Sequence, residues 1–112
     1  MSNEMQLKLI ETYSMVCDYF DKNPQWNSIR LSNNYKPTQF TDQEAVTIYL
    51  FVGYYEKRFK IKEIHNFAKH YLHQWFPNLT SYEKFNNRLR LNALYNVILH
   101  IIISVLQDFV WN

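Results

Sequence analysis

Apolar residues recur at spacings of three and four along most of this chain, which is the period of an amphipathic helix. No stretch shows the strict alternation of a half-buried strand, and glycine and proline are nearly absent from the long periodic segments. The 112 residues are enough for one domain with its own core. The pattern therefore predicts an all-α fold, a compact bundle of about five helices in a single domain over residues 1–112.

The N-terminal part of the domain, residues 1–39, is predicted to hold one helix and a loop. The helix covers residues 4–22, and Asn23 and Pro24 end it. Its apolar stripe is predicted at Leu7, Ile10, Tyr13, Val16, Cys17 and Phe20. Residues 23–40 show no clear period, and a loop of that length is either functional or contains a short element.

Two capping patterns mark helix starts in the central region, residues 40–92. Thr41 and Glu44 form a capping box, in which each side chain accepts a hydrogen bond from the backbone amide of the other residue. The nearly continuous apolar run that follows, to residue 55, predicts a helix buried on most of its circumference. Thr80 and Glu83 predict a second capping box, opening a short helix with a buried stripe at Tyr82, Phe85 and Leu89.

Between these two starts, residues 62–75 predict a helix with an apolar face and a basic face. The apolar face carries Ile61, Ile64, Phe67, Ala68, Tyr71, Leu72 and Trp75. The basic face carries Lys62, Asn66, Lys69, His70 and His73. Pro77 ends this helix because it disfavours helix at the preceding residue and lacks an amide donor.

The last predicted helix begins at residue 92 and ends near residue 110, and it occupies the C-terminal region, residues 93–112. Its main stripe is apolar at Leu94, Val97, Ile98, Ile101, Ile102, Val105, Leu106 and Phe109, and Ile103 lies outside that stripe. This is more apolar circumference than one neighbouring layer covers. We therefore expect a homodimer through this helix, with a monomer closed by the first helix as the alternative.

Basic residues are concentrated in one third of the chain. Residues 57–90 carry eight bases and two acids, whereas residues 1–56 carry four bases and seven acids. Such asymmetry is typical of a basic face that meets a polyanion, and His65, His70 and His73 can add charge at lower pH. The alternative is a solvated surface with an incidental imbalance.

The second, third and fourth predicted helices have the order and lengths of a helix-turn-helix unit, whose last helix enters the major groove of DNA. Asn and Arg side chains form bidentate hydrogen bonds with adenine and guanine, respectively, and lysines contact phosphates. The predicted DNA-binding residues are Thr80, Ser81, Lys84, Asn87, Arg88 and Arg90 around the fourth helix, and Lys62, Lys69 and His73 on the third. The alternative is an ordinary bundle whose polar face is solvated.

Several stretches of this region resemble the N-terminal region of bacterial insertion-sequence transposases of the DDE class. The most specific run is Phe76-Pro77-Asn78-Leu79-Thr80-Ser81-Tyr82 followed by Phe85-Asn86-Asn87-Arg88-Leu89, and weaker similarity begins at Phe40. The resemblance covers about half the chain and implies binding to duplex DNA such as terminal repeats. The catalytic domain of that family is missing here, so we expect a DNA-binding module or truncated remnant and no enzyme activity.

Other chemistry has little support in the sequence. His70 and His73 have a spacing that suits two metal ligands but lack a third, and Cys17 lies in an acidic segment where a packed, inert thiol is expected. With one glycine there is no phosphate-binding loop, so we expect no cofactor, no metal and no small-molecule substrate. The longest apolar stretch, residues 97–106, is interrupted by His100 and Ser104 and is too short to span a bilayer, so we expect no membrane span. The single cysteine and the lack of a leader-like pattern at the N-terminus predict a cytoplasmic protein. The alternative function is a helical dimerisation or protein-interaction module.

Overall fold

The computed structural model describes residues 2–23, 40–58, 60–91 and 94–111, with side chains for all of these except 91 and 106–111. The described residues form five helices and no strand, which confirms the predicted all-α class. The helices are α1 (Asn3–Lys22), α2 (Asp42–Tyr55), α3 (Ile61–Tyr71), α4 (Tyr82–Leu91) and α5 (Leu94–Trp111). Apart from its two end residues, the predicted loop of residues 23–40 lies outside the described part of the chain.

The central helix of the bundle is α2, which packs against α1, α3 and α5. It begins with the predicted capping box: the Thr41 amide donates to Glu44 Oε1 at 3.0 Å, and the Glu44 amide donates to Thr41 Oγ1 at 3.1 Å. Its buried residues cover most of its circumference, as predicted, at Asp42, Ala45, Val46, Thr47, Ile48, Phe51 and Val52. The rest of the core is therefore arranged around this one helix.

The buried face of α1 differs from the predicted stripe. Leu9, Thr12, Val16 and Phe20 are buried, whereas Leu7, Ile10 and Tyr13 are exposed on the other side. The predicted stripe was wrong at its N-terminal half because α1 is apolar on two faces and, among the described helices, α2 is the one that packs closely against it. A threonine is tolerated on the buried face because its hydroxyl donates to the Lys8 carbonyl at 2.8 Å.

The third helix ends earlier than predicted, at Tyr71 instead of residue 75. Leu72 leaves the helical conformation, and its carbonyl accepts hydrogen bonds from the amides of both Trp75 and Phe76 at 3.0 Å. Leu72 and Phe76 are buried, so they anchor the turn that follows, whereas Tyr71 and Trp75 are exposed. His73 therefore lies in this turn and not on a helix.

The last helix, α5, packs its first half against α4 and α2. Leu94, Val97, Ile98 and Ile101 are buried there, and beyond them the described apolar side chains emerge into solvent. Leu106 and Phe109 lie outside the described side chains.

In the described residues no single helix is long and apolar enough to cross a membrane. One bent pair, α4 with α5, reaches that length and composition only when its two helices are counted together.

An ion pair attaches α4 to the start of α2. Arg88 Nε lies 3.6 Å from Asp42 Oδ1, and its side chain is 16% exposed while that of Asp42 is 1% exposed. The same guanidinium donates a hydrogen bond to the Phe40 carbonyl and lies over the Phe40 ring, 5.6 Å from its centre. Phe40 also packs against Phe85, so the guanidinium closes a contact between α4 and the residues before α2.

Replacing Arg88 with alanine should destabilise the protein by about 3 kcal/mol, because the buried Asp42 carboxylate would lose the guanidinium that faces it. The free energy of unfolding, measured by urea titration, checks this value. A double variant, Asp42→Asn with Arg88→Met, should recover part of the loss because neither charge then remains. Arg90→Ala removes an exposed arginine two residues away and should change the stability by less than about 0.5 kcal/mol. Equal losses for Arg88→Ala and Arg90→Ala would contradict this role of the ion pair.

Candidate nucleic-acid interface

A buried histidine joins α3 to the segment that leads into α4. His65 is 7% exposed, and its Nε2 atom lies 2.7 Å from the Thr80 carbonyl oxygen. Because a carbonyl oxygen only accepts, Nε2 carries the proton and donates it. The imidazole also contacts the rings of Tyr82 and Phe85, with centroids 5.9 and 5.6 Å away. The prediction of His65 as a surface base was wrong, since this side chain fixes the start of α4 against α3.

Between α3 and the start of α4 lies an open cleft of about 480 Å³. Five of the nine predicted DNA-binding residues line it, and they come from three separate segments: Lys62, Lys69, His73, Thr80 and Ser81. The described residues that line the cleft include no aspartate or glutamate. The structure therefore brings two lysines and a histidine that are distant in sequence from Ser81 to one concave basic surface.

Three further predicted residues lie on exposed positions of α4, outside that cleft. Lys84 and Asn87 follow Ser81 at spacings of three, so the exposed polar surface continues from the cleft onto α4. Arg90 is exposed near the end of the helix. Glu83 is exposed on the same helix, so the described exposed face of α4 is polar, with two bases, one acid and Asn87.

The ninth predicted residue, Arg88, lies elsewhere. We predicted it on the exposed side of α4, and this was wrong, because its guanidinium is directed inward to Asp42 and the Phe40 carbonyl. An arginine with these contacts is held by the protein's own acceptors. The sequence alone gives no sign of this, since the partners lie 46 and 48 positions earlier in the chain.

The helix α4 is capped by Ser81 and not by Thr80, so the predicted second capping box was wrong. Ser81 Oγ accepts from the Lys84 amide at 3.4 Å, and the Ser81 carbonyl accepts from the Phe85 amide at 2.9 Å. The Thr80 hydroxyl oxygen is buried and has no hydrogen-bond partner among the described residues. The Thr80 carbonyl is engaged by His65, which holds this residue one position outside the helix.

Sequence reasoning missed two residues of the cleft as contributors to the site. Asn66 was predicted on the same face of the helix as Lys62 and Lys69 but not as a contact residue, and it lines the cleft with them. Tyr82 was predicted to be buried, but its side chain is 38% exposed and lines the cleft. The sequence does not predict that Tyr82 is exposed, because its exposure depends on α4 beginning at Tyr82, one residue later than the predicted cap at Thr80 implies.

The part of the chain that the structure describes contains no separate site for metal binding or for a reactive thiol. Its residues contain no group of three or more histidine, cysteine, aspartate or glutamate side chains that could hold a metal ion. Burial is the main cause that raises the pKa of the half-buried Cys17 thiol, outweighing the hydrogen bond from Tyr13 that lowers it. The thiol form is therefore favoured at neutral pH.

Comparisons with protein-family models, with curated proteins and with solved structures find no match for this chain. The resemblance to transposase N-terminal regions therefore stays a prediction that depends on the residues quoted above.

The two candidate caps of α4 give opposite stability predictions. Ser81→Ala should cost about 1 kcal/mol because it removes the acceptor for an end amide. Thr80→Val should be neutral or stabilising because it replaces a buried hydroxyl that has no partner with a methyl group of the same shape. Thermal or urea unfolding of the two variants measures both effects, and a larger loss for Thr80→Val would show that Thr80 is the cap.

Proposed function

We propose that this chain is the DNA-binding N-terminal region of an insertion-sequence transposase, or a truncated remnant of one, and that it binds duplex DNA through α4. One observation carries the proposal: five of the nine residues predicted as phosphate and base contacts line one cleft whose described lining includes no acidic residue. Three more, Lys84, Asn87 and Arg90, are exposed on the adjoining helix α4.

Charge and shape both support a backbone contact at the cleft. Lys62 and Lys69 lie on the same side of α3, and His73 adds a donor from the turn. Contacts from such side chains to phosphates position a protein on DNA without reading sequence. We assign this positioning role to these three residues.

The exposed face of α4 is the part that fits base contacts. Lys84 and Asn87 lie there, and an asparagine amide can both accept from and donate to an adenine edge in the major groove. Thr80 has no part in this role, since its hydroxyl is buried, and Arg88 has none, since its guanidinium is committed to Asp42. Sequence preference is therefore expected to depend on Asn87 more than on Arg88.

Lys69→Ala should weaken binding to all duplexes alike and lower the slope of log K against log salt by about one unit. Fluorescence anisotropy at several salt concentrations measures both quantities. The matched control is Lys22→Ala, which removes the same charge from an exposed lysine of α1 that pairs with Asp18. If Lys69→Ala and Lys22→Ala have the same affinity and the same slope as the unmodified protein, the basic surface does not bind DNA.

A second proposal concerns self-association, which is also the basis of the alternative function as an interaction module. Four apolar side chains of α5 are 40–55% exposed, namely Leu99, Ile102, Ile103 and Val105. Two of them line an apolar groove of about 380 Å³ between α1, α2 and α5, together with Met15, Leu50 and Tyr54. The proposed occupant is the same surface of a second copy, because an isologous contact can match a patch with itself.

Ile102→Glu or Val105→Glu should convert a dimer into a monomer, because either change places a charge in the apolar contact. Analytical ultracentrifugation measures the mass, and circular dichroism verifies that each variant keeps its helices. Tyr71→Glu is the control, since Tyr71 is exposed on α3 away from the groove. An unmodified protein that sediments as a monomer at high concentration would end the dimer proposal and leave DNA binding unaffected.

A further inference from the structure

The basic cleft has an apolar wall as well as cationic residues. This wall is formed by four residues that line the same cleft as the two lysines, namely Phe76, Pro77, Leu79 and Tyr82. Its volume of about 480 Å³ lies within the roughly 300–1,000 Å³ typical of sites for small organic ligands. A phosphodiester group that touches Lys62 and Lys69 from outside would leave most of this volume unused.

Tyr82 is the one apolar residue of this wall with an aromatic ring and substantial exposure. Its side chain is 38% exposed, whereas Phe76 is 5% exposed. The ring of Tyr82 meets the buried His65 ring at 66°, so the two rings are not stacked on each other. Because His65 is hydrogen-bonded to Thr80, Tyr82 is held beside the cleft by a fixed neighbour.

The combination of cations and an exposed aromatic ring is suited to a nucleotide. Lysines attract the phosphate, a tyrosine ring can stack on any base, and the amide of Asn66 can both donate to and accept from a base edge. A base inside a duplex cannot enter, because its two faces are covered by its neighbours in the stack. A base must leave the stack before a protein pocket can enclose it.

We propose that the cleft binds one unpaired nucleotide of a DNA strand, with the phosphate at Lys62 and Lys69 and the base against Tyr82. This inference rests on the proposed function in so far as the ligand is DNA, but it assigns the cleft a different role from the outer face of α4. On a blunt duplex Lys62 and Lys69 contact a backbone phosphate and the outer face of α4 contacts base edges. Where a frayed end or an unpaired tail lies next to the cleft, the same two lysines hold its phosphate and the base lies against Tyr82.

Three fluorescent DNA probes test this assignment by anisotropy at one salt concentration. All share one duplex: the first is blunt, the second ends in a single-stranded tail of three adenosines, and the third ends in a tail of three abasic nucleotides. The adenosine and abasic tails carry the same phosphates, so any difference between them comes from the bases. Each tail is placed in turn on the 5′ and the 3′ end.

We expect the adenosine tail to bind at least about fivefold more tightly than the abasic tail, from stacking of one base on an aromatic ring. Tyr82→Leu should abolish that difference, because the ring on which the base stacks is removed. Tyr82→Phe should retain the difference, because the ring remains. Tyr71→Leu, which removes an exposed tyrosine outside the cleft, should leave all three affinities unchanged.

The outcomes separate this inference from the proposed function. Equal affinities for the two tails, or a preference that survives in Tyr82→Leu, would overturn the nucleotide site while blunt-duplex binding still supported the proposed function. Binding of the adenosine tail without binding of the blunt duplex would support the nucleotide site and contradict duplex recognition. Failure of all three probes to bind would overturn both.

Discussion

The contact between Arg88, Asp42 and Phe40 is the constraint on which the placement of α4 depends. Two described side chains of that helix, Phe85 and Leu89, lie fully in the core, which is a small apolar anchor for ten residues. The guanidinium adds a charged partner on α2 and a backbone acceptor before it. A buried arginine with these partners fixes both the rotation and the position of α4, because its planar group satisfies acceptors only in a defined orientation.

The second constraint acts at the other end of α4. His65 binds the Thr80 carbonyl and packs against Tyr82 and Phe85, so the start of α4 cannot move independently of α3. Both walls of the basic cleft are thereby held at a fixed separation, although the turn between them contains exposed residues. The internal contacts remove Arg88 and His65 from the surface, whereas Lys62, Lys69 and His73 line the cleft. Lys84 and Arg90 are exposed on α4.

Local sequence patterns predicted the helix starts and buried faces correctly where the contacting residues lie within a few positions of one another in the chain. The capping box at Thr41 is correct because both of its partners lie within four residues, and the buried run after it is apolar on all sides. The similar pattern at Thr80 fails because a distant residue, His65, takes the Thr80 carbonyl and moves the helix start to Ser81.

The misplaced faces of α1 and α4 have the same kind of cause. Leu7 and Ile10 are as apolar as Leu9 and Val16, and the position of α2 decides which pair is buried. Arg88 and Lys84 are both basic residues of one short helix, but only Arg88 meets a carboxylate across the bundle. The surface lysines of the candidate site were predictable from helical spacing, whereas long-range polar partners require the tertiary structure.

The central claim is that α3, the turn and α4 form the DNA-binding surface of this protein. Its most direct test is a two-dimensional NMR titration of the isotope-labelled chain with a duplex of mixed sequence. If DNA binds at this surface, the amide signals of Lys62, Lys69, Ser81, Lys84 and Asn87 should shift together, while those of α1 stay in place. Shifts confined to α1 and the second half of α5, or no shifts at low salt, would contradict it.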